Sequence, residues 1–327
     1  MTNAGPGDGQ SSEVSCSIRL PDDFRVADVL SFHGRDTLAV AERTDGHSLH
    51  KGLSWQGRPA CLTIRFGTGH ADVQLAVDGK THTSPDGLAQ LARRMLGLTQ
   101  RVEDFAHAYR SHPQLGPLIT RLPGLRVPLS ATPFEALTWA ITGQQISLGA
   151  AISLRRRLIA ATGLRHSAGL ACYPDAERMA ALGAADLHQA GFSRAKAQTL
   201  SMLSQQVAAN RLPLETWVAT LPVDDMRAQL LRLHGIGPWT VDYTLLRGFG
   251  WLDGSLHGDA AVRRKLQRLL GSTAALTQDF TRSWLAQFSP WRALVAAHLW
   301  SIPDDFLPAI SQGRLEPQPA IHAQRRQ

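Results

Sequence analysis

Hydrophobic and polar residues change their spacing once along this chain, and that change divides it. From Ser15 to about Val77 the apolar positions come in short runs: Cys16–Leu20, Leu38–Ala41, Leu49–Trp55, Ala60–Phe66 and Val73–Val77. The links Thr44-Asp-Gly-His, Gln56-Gly-Arg-Pro and Asp78-Gly79 carry turn chemistry. Such runs predict an antiparallel sheet. Phe24 to Ser31 and Ser84-Pro85-Asp86 through Leu96 read as helices packed on it. From Val102 onward the spacing is helical, with short links. Helices are expected over Pro133–Gly143, capped by Thr132 with Pro133 at the first position, and over Ser147–Ala161, Ser193–Ala208 and Pro222–Leu233. Others start near Ala260, Thr277 and Pro290. The expected fold class is mainly α with an N-terminal α+β domain. Residues 1–14 form a polar, Gly-rich, disordered tail, 15–97 the sheet domain, 98–310 the helical core and 311–327 a loose basic tail.

The most informative stretch follows the helix that ends near Leu233. Leu230 and Leu233 share one face of that helix. Gly235-Ile236-Gly237 then makes a tight turn that admits positive φ. Pro238 opens the next helix, where its missing N–H is harmless. The amides of Gly235, Gly237, Trp239 and Thr240 would face out of a helix N-terminus, a site suited to anions. Trp239 and Tyr243 lie four apart, on one face. Asp259 follows Gly237 at a distance and opens another helix, whose stripe of Val262, Leu266 and Leu269 is apolar. Each feature has an ordinary explanation as well. A lone Gly-x-Gly is a tight link, a lone Trp or Tyr is core packing, and an Asp before a helix is an N-cap. Arg263 and Arg264 are either phosphate contacts or a solvated helix face.

Composition narrows the partners. Net charge is +7 and the pI about 9.9, which suits a polyanion without proving one. Three cysteines, Cys16, Cys61 and Cys172, are too far apart for a metal motif or a disulfide framework. No apolar run has the length of a membrane span, and the N-terminus lacks a basic, then apolar, leader. A soluble protein of a reducing compartment is expected, in a bacterium the cytoplasm.

At the hairpin the chain resembles the helix-hairpin-helix (HhH-GPD) DNA glycosylase superfamily, and within it the branch that acts on 3-methyladenine. The residues that carry the resemblance are Gly-Ile-Gly-Pro-Trp-Thr-Val-Asp-Tyr at 235–243, Leu-Arg-Gly-Phe at 246–249, Pro-Trp-Arg-Ala-Leu-Val-Ala-Ala-His-Leu-Trp at 290–300 and Ala-Ile-Thr-Gly-Gln-Gln-Ile-Ser at 140–147. The likeness runs from about Ile18 to about Asp304, and it implies a two-lobed helical core with its hairpin at 230–249, preceded by a small α/β domain. It further implies a monofunctional enzyme that flips alkylated purines (3-methyladenine or 7-methylguanine) out of duplex DNA and leaves an abasic site. Asp259 would be catalytic, stabilising an oxocarbenium-like sugar. Gln144, Trp239, Tyr243 and Trp291 would line the base pocket, where electron-rich rings attract a cationic base. Gln145, in place of the family's leucine wedge, would enter the duplex, and Gly235, Gly237, Trp239 and Thr240 would grip its backbone. Main-chain carbonyls of Leu231, Leu233 and Ile236 would hold a structural Na+ or K+, and no other cofactor is expected. Gly258 stands where relatives have a second Asp. Trp239 stands where strand-cutting relatives have a Schiff-base lysine, and an iron–sulfur cluster would need four clustered cysteines. A monomer is expected. The alternatives are a non-catalytic DNA-binding module, or a glycosylase for deaminated or oxidised bases.

Overall fold

A computed structural model describes residues 11–303. Of the tails expected at residues 1–14 and 311–327, residues 1–10 and the whole of the second lie outside the described residues, as does the end of the expected core, 304–310. Five strands form one antiparallel sheet: β1 (Ser12–Arg19), β2 (Glu42–Thr44), β3 (Ser48–Trp55), β4 (Arg58–Gly67) and β5 (His70–Val77), in the order β1-β5-β4-β3-β2. The helices are α1 (Val26–His33), α2 (Pro85–Met95), α3 (Val102–Tyr109), α4 (Leu115–Arg121), α5 (Pro133–Gly143), α6 (Leu148–Thr162), α7 (Ala176–Ala181), α8 (Ala184–Gln189), α9 (Arg194–Ala208), α10 (Leu214–Thr220), α11 (Val223–Leu231), α12 (Pro238–Phe249), α13 (Ala260–Leu269), α14 (Gln278–Ala286) and α15 (Arg292–Trp300). The fold is thus an N-terminal antiparallel sheet followed by a helical core.

Local chemistry sets many of the boundaries. Ser84, Thr132, Ser147 and Ser193 each accept a first-turn amide and start α2, α5, α6 and α9. Elsewhere tertiary contacts move them. The sheet begins at Ser12, paired with Val77, so residues 12–14 belong to β1 and not to a tail. Leu38–Ala41 is not a strand. Ala39 turns at φ 50, Asp36 accepts the Leu38 amide at 3.0 Å, and strand pairing starts only at Glu42. Helix α1 starts at Val26 rather than Phe24, α11 ends at Leu231, and α15 starts at Arg292 rather than Pro290.

Three hydrophobic cores result. One fills the space between the sheet and α2, with Ile64, Leu75, Leu88 and Met95 fully buried. A second joins α5–α11. A third joins α3, α4 and α13–α15. Helix α12 belongs to the last two: Val241 and Leu245 point into one, Leu246 into the other, with Trp239 and Tyr243 on its edge. Two ties between the sheet and the helical core set their junction. Residues 171–173 run along β3, where Ser54 N donates to Tyr173 O at 2.9 Å and Tyr173 N to Gly52 O at 3.0 Å. Gly52 is required for this approach, because a Cβ there would lie 2.1 Å from Ala171 O. The second tie is ionic and fully buried. Lys51 Nζ donates to Glu42 at 2.6 Å and to Glu135 at 2.7 Å, Arg155 pairs with both carboxylates at 3.0 and 2.9 Å, and His33 bonds Glu42 at 2.9 Å.

Candidate active site at the hairpin

The turn between α11 and α12 is built as its residues suggest, with one difference. Gly235 is left-handed at φ 84, but Gly237 is extended and serves as the N-cap of α12. Gly235 is held to glycine twice over, since a Cβ would also meet Thr199 Oγ1 at 2.2 Å. Thr199 in turn donates to His234 O at 3.1 Å. No side chain caps α12, and Pro238 occupies its first turn, so the amides of Trp239 and Thr240 stand at an uncapped helix start. The buried Asp242 pairs with Arg227, pinning α12 to α11. Burial raises the Asp242 pKa, and Arg227 opposes that rise. The Leu233 carbonyl accepts the Ile236 amide at 3.1 Å, which leaves it a second lone pair. Among the described residues no group of acidic, His or Cys side chains could hold a metal ion.

Gln144 and Gln145 follow α5. Gln144 Nε2 donates to Gly235 O and to Thr240 Oγ1, both at 2.9 Å, and so clasps the hairpin. Gln145 is exposed with a left-handed φ of 56. Beside it Ile146 and Leu148 are exposed apolar residues, at 37% and 61%. Lys196, on α9, donates to the carbonyls of Thr142 and Gln144 at 2.8 Å and fixes the end of α5 beneath this turn.

Asp259 caps α13, and its half-buried carboxylate takes four donors. Oδ1 accepts the amides of Ala261 and Val262 at 2.9 Å and the Trp300 indole at 3.3 Å; Oδ2 accepts the Trp239 indole at 3.0 Å. All four donors are neutral. The loop that delivers it is braced: Arg292 grips Asp253 at 2.8 and 2.9 Å, and Arg263 donates to Gly258 O at 2.9 Å. Arg263 is thus a loop brace, whereas Arg264 is exposed. Trp239 and Tyr243 lie 5.4 Å apart between centroids, Tyr243 and Trp300 6.4 Å, and the Trp139 indole donates to the Tyr243 hydroxyl at 3.0 Å. Trp291 goes elsewhere, against Phe105 and Tyr109 at 6.1 and 6.0 Å. The two tryptophans of the 290–300 stretch are nine residues apart, half a turn out of phase at roughly 100° per residue, so only one can face the hairpin. It is Trp300. The sequence assigns no site role to Trp300, Trp139 or Lys196; for Trp300, the last residue of the 290–300 stretch, the helical phase is the available signal. A cavity of about 530 Å³ opens elsewhere, between the sheet and residues 165–170, and shares no lining residue with this site.

The hairpin's uncapped amide end, the exposed turn at Gln145 and the dipole-held carboxylate of Asp259 thus lie with the aromatic rings in one site. Residues 138–287 match the HhH-GPD superfamily base excision DNA repair protein family, and residues 16–132 the AlkA N-terminal domain. The chain is 30% identical to DNA-3-methyladenine glycosylase 2 of Escherichia coli, over 65% of this chain and 73% of that one. It is also 30% identical to a probable bifunctional transcriptional activator/DNA repair enzyme AlkA of Mycobacterium tuberculosis, over 64% of this chain, but it spans only 41% of that protein. Its fold superposes on a 3-methyladenine DNA-glycosylase from Archaeoglobus fulgidus with a TM-score of 0.74 at 20% identity, covering 87% of this chain and 97% of that one. The chain belongs to the HhH-GPD superfamily of base excision DNA repair proteins, in its AlkA-type group.

Proposed function

We propose that the chain is a monofunctional, monomeric DNA glycosylase that excises alkylated purines from duplex DNA, with Asp259 as its catalytic carboxylate. The observation that carries this reading is the setting of Asp259: an anion held by two amides and two indoles beside Trp239 and Tyr243. Neutral donors orient the carboxylate and leave its charge uncancelled, ready to stabilise an oxocarbenium-like sugar. Trp239 and Tyr243, with Trp300 in the position proposed for Trp291, would stack the flipped base. Gln144 would hold the pocket edge against the hairpin. Gln145, with Ile146 and Leu148 beside it, would fill the gap in the duplex, and the amides near Gly235, Gly237 and Thr240 would take a phosphate, aided by a cation on the Leu231, Leu233 and Ile236 carbonyls.

Monofunctionality is supported by the lysines of the core. Lys196 and Lys265 donate to main-chain carbonyls, and neither is among the donors to Asp259. No helix among the described residues is long and apolar enough to cross a membrane; action on the bacterial chromosome in the cytoplasm fits this reading. The test is base release from methylated duplex DNA. Wild type should free 3-methyladenine and 7-methylguanine and leave strands intact until alkali is added. Asp259→Asn keeps the cap but loses the charge, and should slow release by about 10²–10³-fold while still binding abasic DNA. Undiminished release by Asp259→Asn would remove the carboxylate from the mechanism, and no release by wild type would leave a DNA-binding module.

A further inference from the structure

Strand alternation gives the sheet two faces. Leu62 and Ile64 of β4 and Val73 and Leu75 of β5 pack toward α2, so Cys61, Thr63, Gln74 and Ala76 point the other way. These four floor the cavity of about 530 Å³. His50, Thr63 and Gln74 stand in register across β3, β4 and β5, and the His50 ring bonds the Thr63 hydroxyl at 3.2 Å. The roof is the turn at 165–170. His166 N donates to Leu170 O at 3.0 Å and Gly169 N to His166 O at 2.8 Å. Ser167 ties this turn to Asp78 through its amide at 2.8 Å and its hydroxyl at 2.6 Å. A cavity braced in this way is formed before any ligand arrives, which lowers the entropy cost of binding.

Its charge is of one sign. The lining holds two arginines, Arg43 and Arg165, two histidines, His50 and His166, and no carboxylate. Among the described residues neither arginine makes an ion pair; Arg165 Nη1 donates to Gly169 O at 2.6 Å. The neighbouring carboxylates are occupied. Asp78 holds Ser167 and lies 3.4 Å from His166. Asp45 accepts the Ser48 hydroxyl at 2.6 Å and the amides of His47 and Ser48 at 2.8 and 2.7 Å. The surplus is felt at His50: burial lowers its pKa, and Arg43 and Arg65 lower it further against the opposing Asp45. Leu38, Val40 and Leu170 add an apolar part to the lining, and Leu38 is 67% exposed. Ala39, turned at φ 50, is what keeps Leu38 out of the sheet.

We propose that this cavity binds a small organic phosphate of the size of a nucleoside monophosphate. Arg43 comes from β2 and Arg165 from the roof, so an anion between them meets two guanidiniums, whose planar donors match phosphate oxygens. The volume falls within the roughly 300–1,000 Å³ of small-molecule sites, more than a bare oxyanion fills. The apolar part of the lining would take the base, and Thr63 and Gln74 the ribose hydroxyls. The site shares no residue with the hairpin, and the inference does not depend on the glycosylase reading.

The test is calorimetric titration of the full chain with AMP, GMP, CMP and UMP, with the nucleoside of the tightest binder, and with inorganic phosphate. One nucleotide should bind per chain, and removing either its base or its phosphate should weaken binding at least tenfold. Arg43→Gln, at an exposed position, should weaken it by about ten- to a hundredfold. Ala76→Leu, which fills the floor and leaves the charge in place, should do the same; melting temperatures report whether both variants are folded. Base release from methylated DNA should equal that of wild type in each, which keeps the result separate from the proposed function. Undiminished nucleotide binding by folded Arg43→Gln would put the ligand elsewhere, at the hairpin amides for example, and overturns the inference. So does inorganic phosphate or the free nucleoside binding as tightly as the nucleotide, and so does absence of binding by all four nucleotides.

Discussion

Two of the buried or half-buried charge groups among the described residues are built on opposite rules. At the junction of sheet and core, Glu42 and Glu135 face Lys51 and Arg155, and every carboxylate meets a cation within 3.0 Å. Burial alone would raise the Glu42 pKa; Arg155 and Lys51 hold it well below its ordinary value. At the hairpin, Asp259 meets indoles and amides only. The first cluster sums to zero and has nothing left to give a ligand. The second keeps its charge and fixes its direction. Cancelled charge holds the fold together, and uncancelled charge is available for chemistry.

The comparison can be broken most forcefully at Lys51. Lys51→Met leaves two buried carboxylates with one cation between them and should destabilise the protein by about 3–5 kcal/mol, read from denaturant unfolding. Excision per folded molecule should not change. A catalytic loss without a stability loss would mean that the two clusters do not divide the labour in this way.

Acid should separate them next. Burial lowers the pKa of His33, and lowers that of His298 from 6.5 to about 4. On His298 the unfolded chain takes a proton below pH 6.5, whereas the folded protein refuses it until about 4. Stability is therefore complete above pH 6.5 and declines between 6.5 and 4, by up to about 3 kcal/mol for His298. Thermal unfolding at pH 7 and pH 4.5 measures this. His298→Gln should flatten the dependence, and an equally steep profile in that variant would assign the acid sensitivity elsewhere.

Smaller effects sharpen the second cluster. Trp300→Phe keeps a ring and removes one donor to Asp259. At about 1.5–3 kcal/mol for a hydrogen bond to a charged group, it should slow base release by roughly ten- to a hundredfold, with little change in melting temperature. Trp291→Phe should leave release nearly unchanged. Equal effects would mean that the indole N–H of Trp300 has no special part. Gln144→Ala removes the clasp on Gly235 and Thr240 and should weaken binding of abasic DNA by about 1 kcal/mol, seen by fluorescence anisotropy.

Much of this was legible in the chain. Ser84, Thr132 and Ser193 announce their helices because a cap is chemistry between residues three apart. The hairpin reads for the same reason. Leu38–Ala41 misleads: its composition is that of a strand, but Asp36 and Ala39 bend it before it can pair. The aromatic rings beside Asp259 are only half visible, because Trp239 and Tyr243 are i,i+4 neighbours while Trp139 and Trp300 arrive from distant segments. Lys51 carries a signal of its own in the sequence. Strand alternation puts it on the same face as Leu49 and Leu53, the face that is buried. Glu135 gives no such hint in a helix buried almost all round.

Helix α12 is shared by both helical cores, with Val241 and Leu245 in one and Leu246 in the other. A hinge between the lobes would have to tear one of them open. The protein is consequently an anvil rather than a clamp. On the proposed function, a double helix laid across the junction would itself bend to bring one nucleotide to Asp259, with less elastic work where stacking is already weak. Mechanical softness at a damaged step would then be sensed before any base is touched.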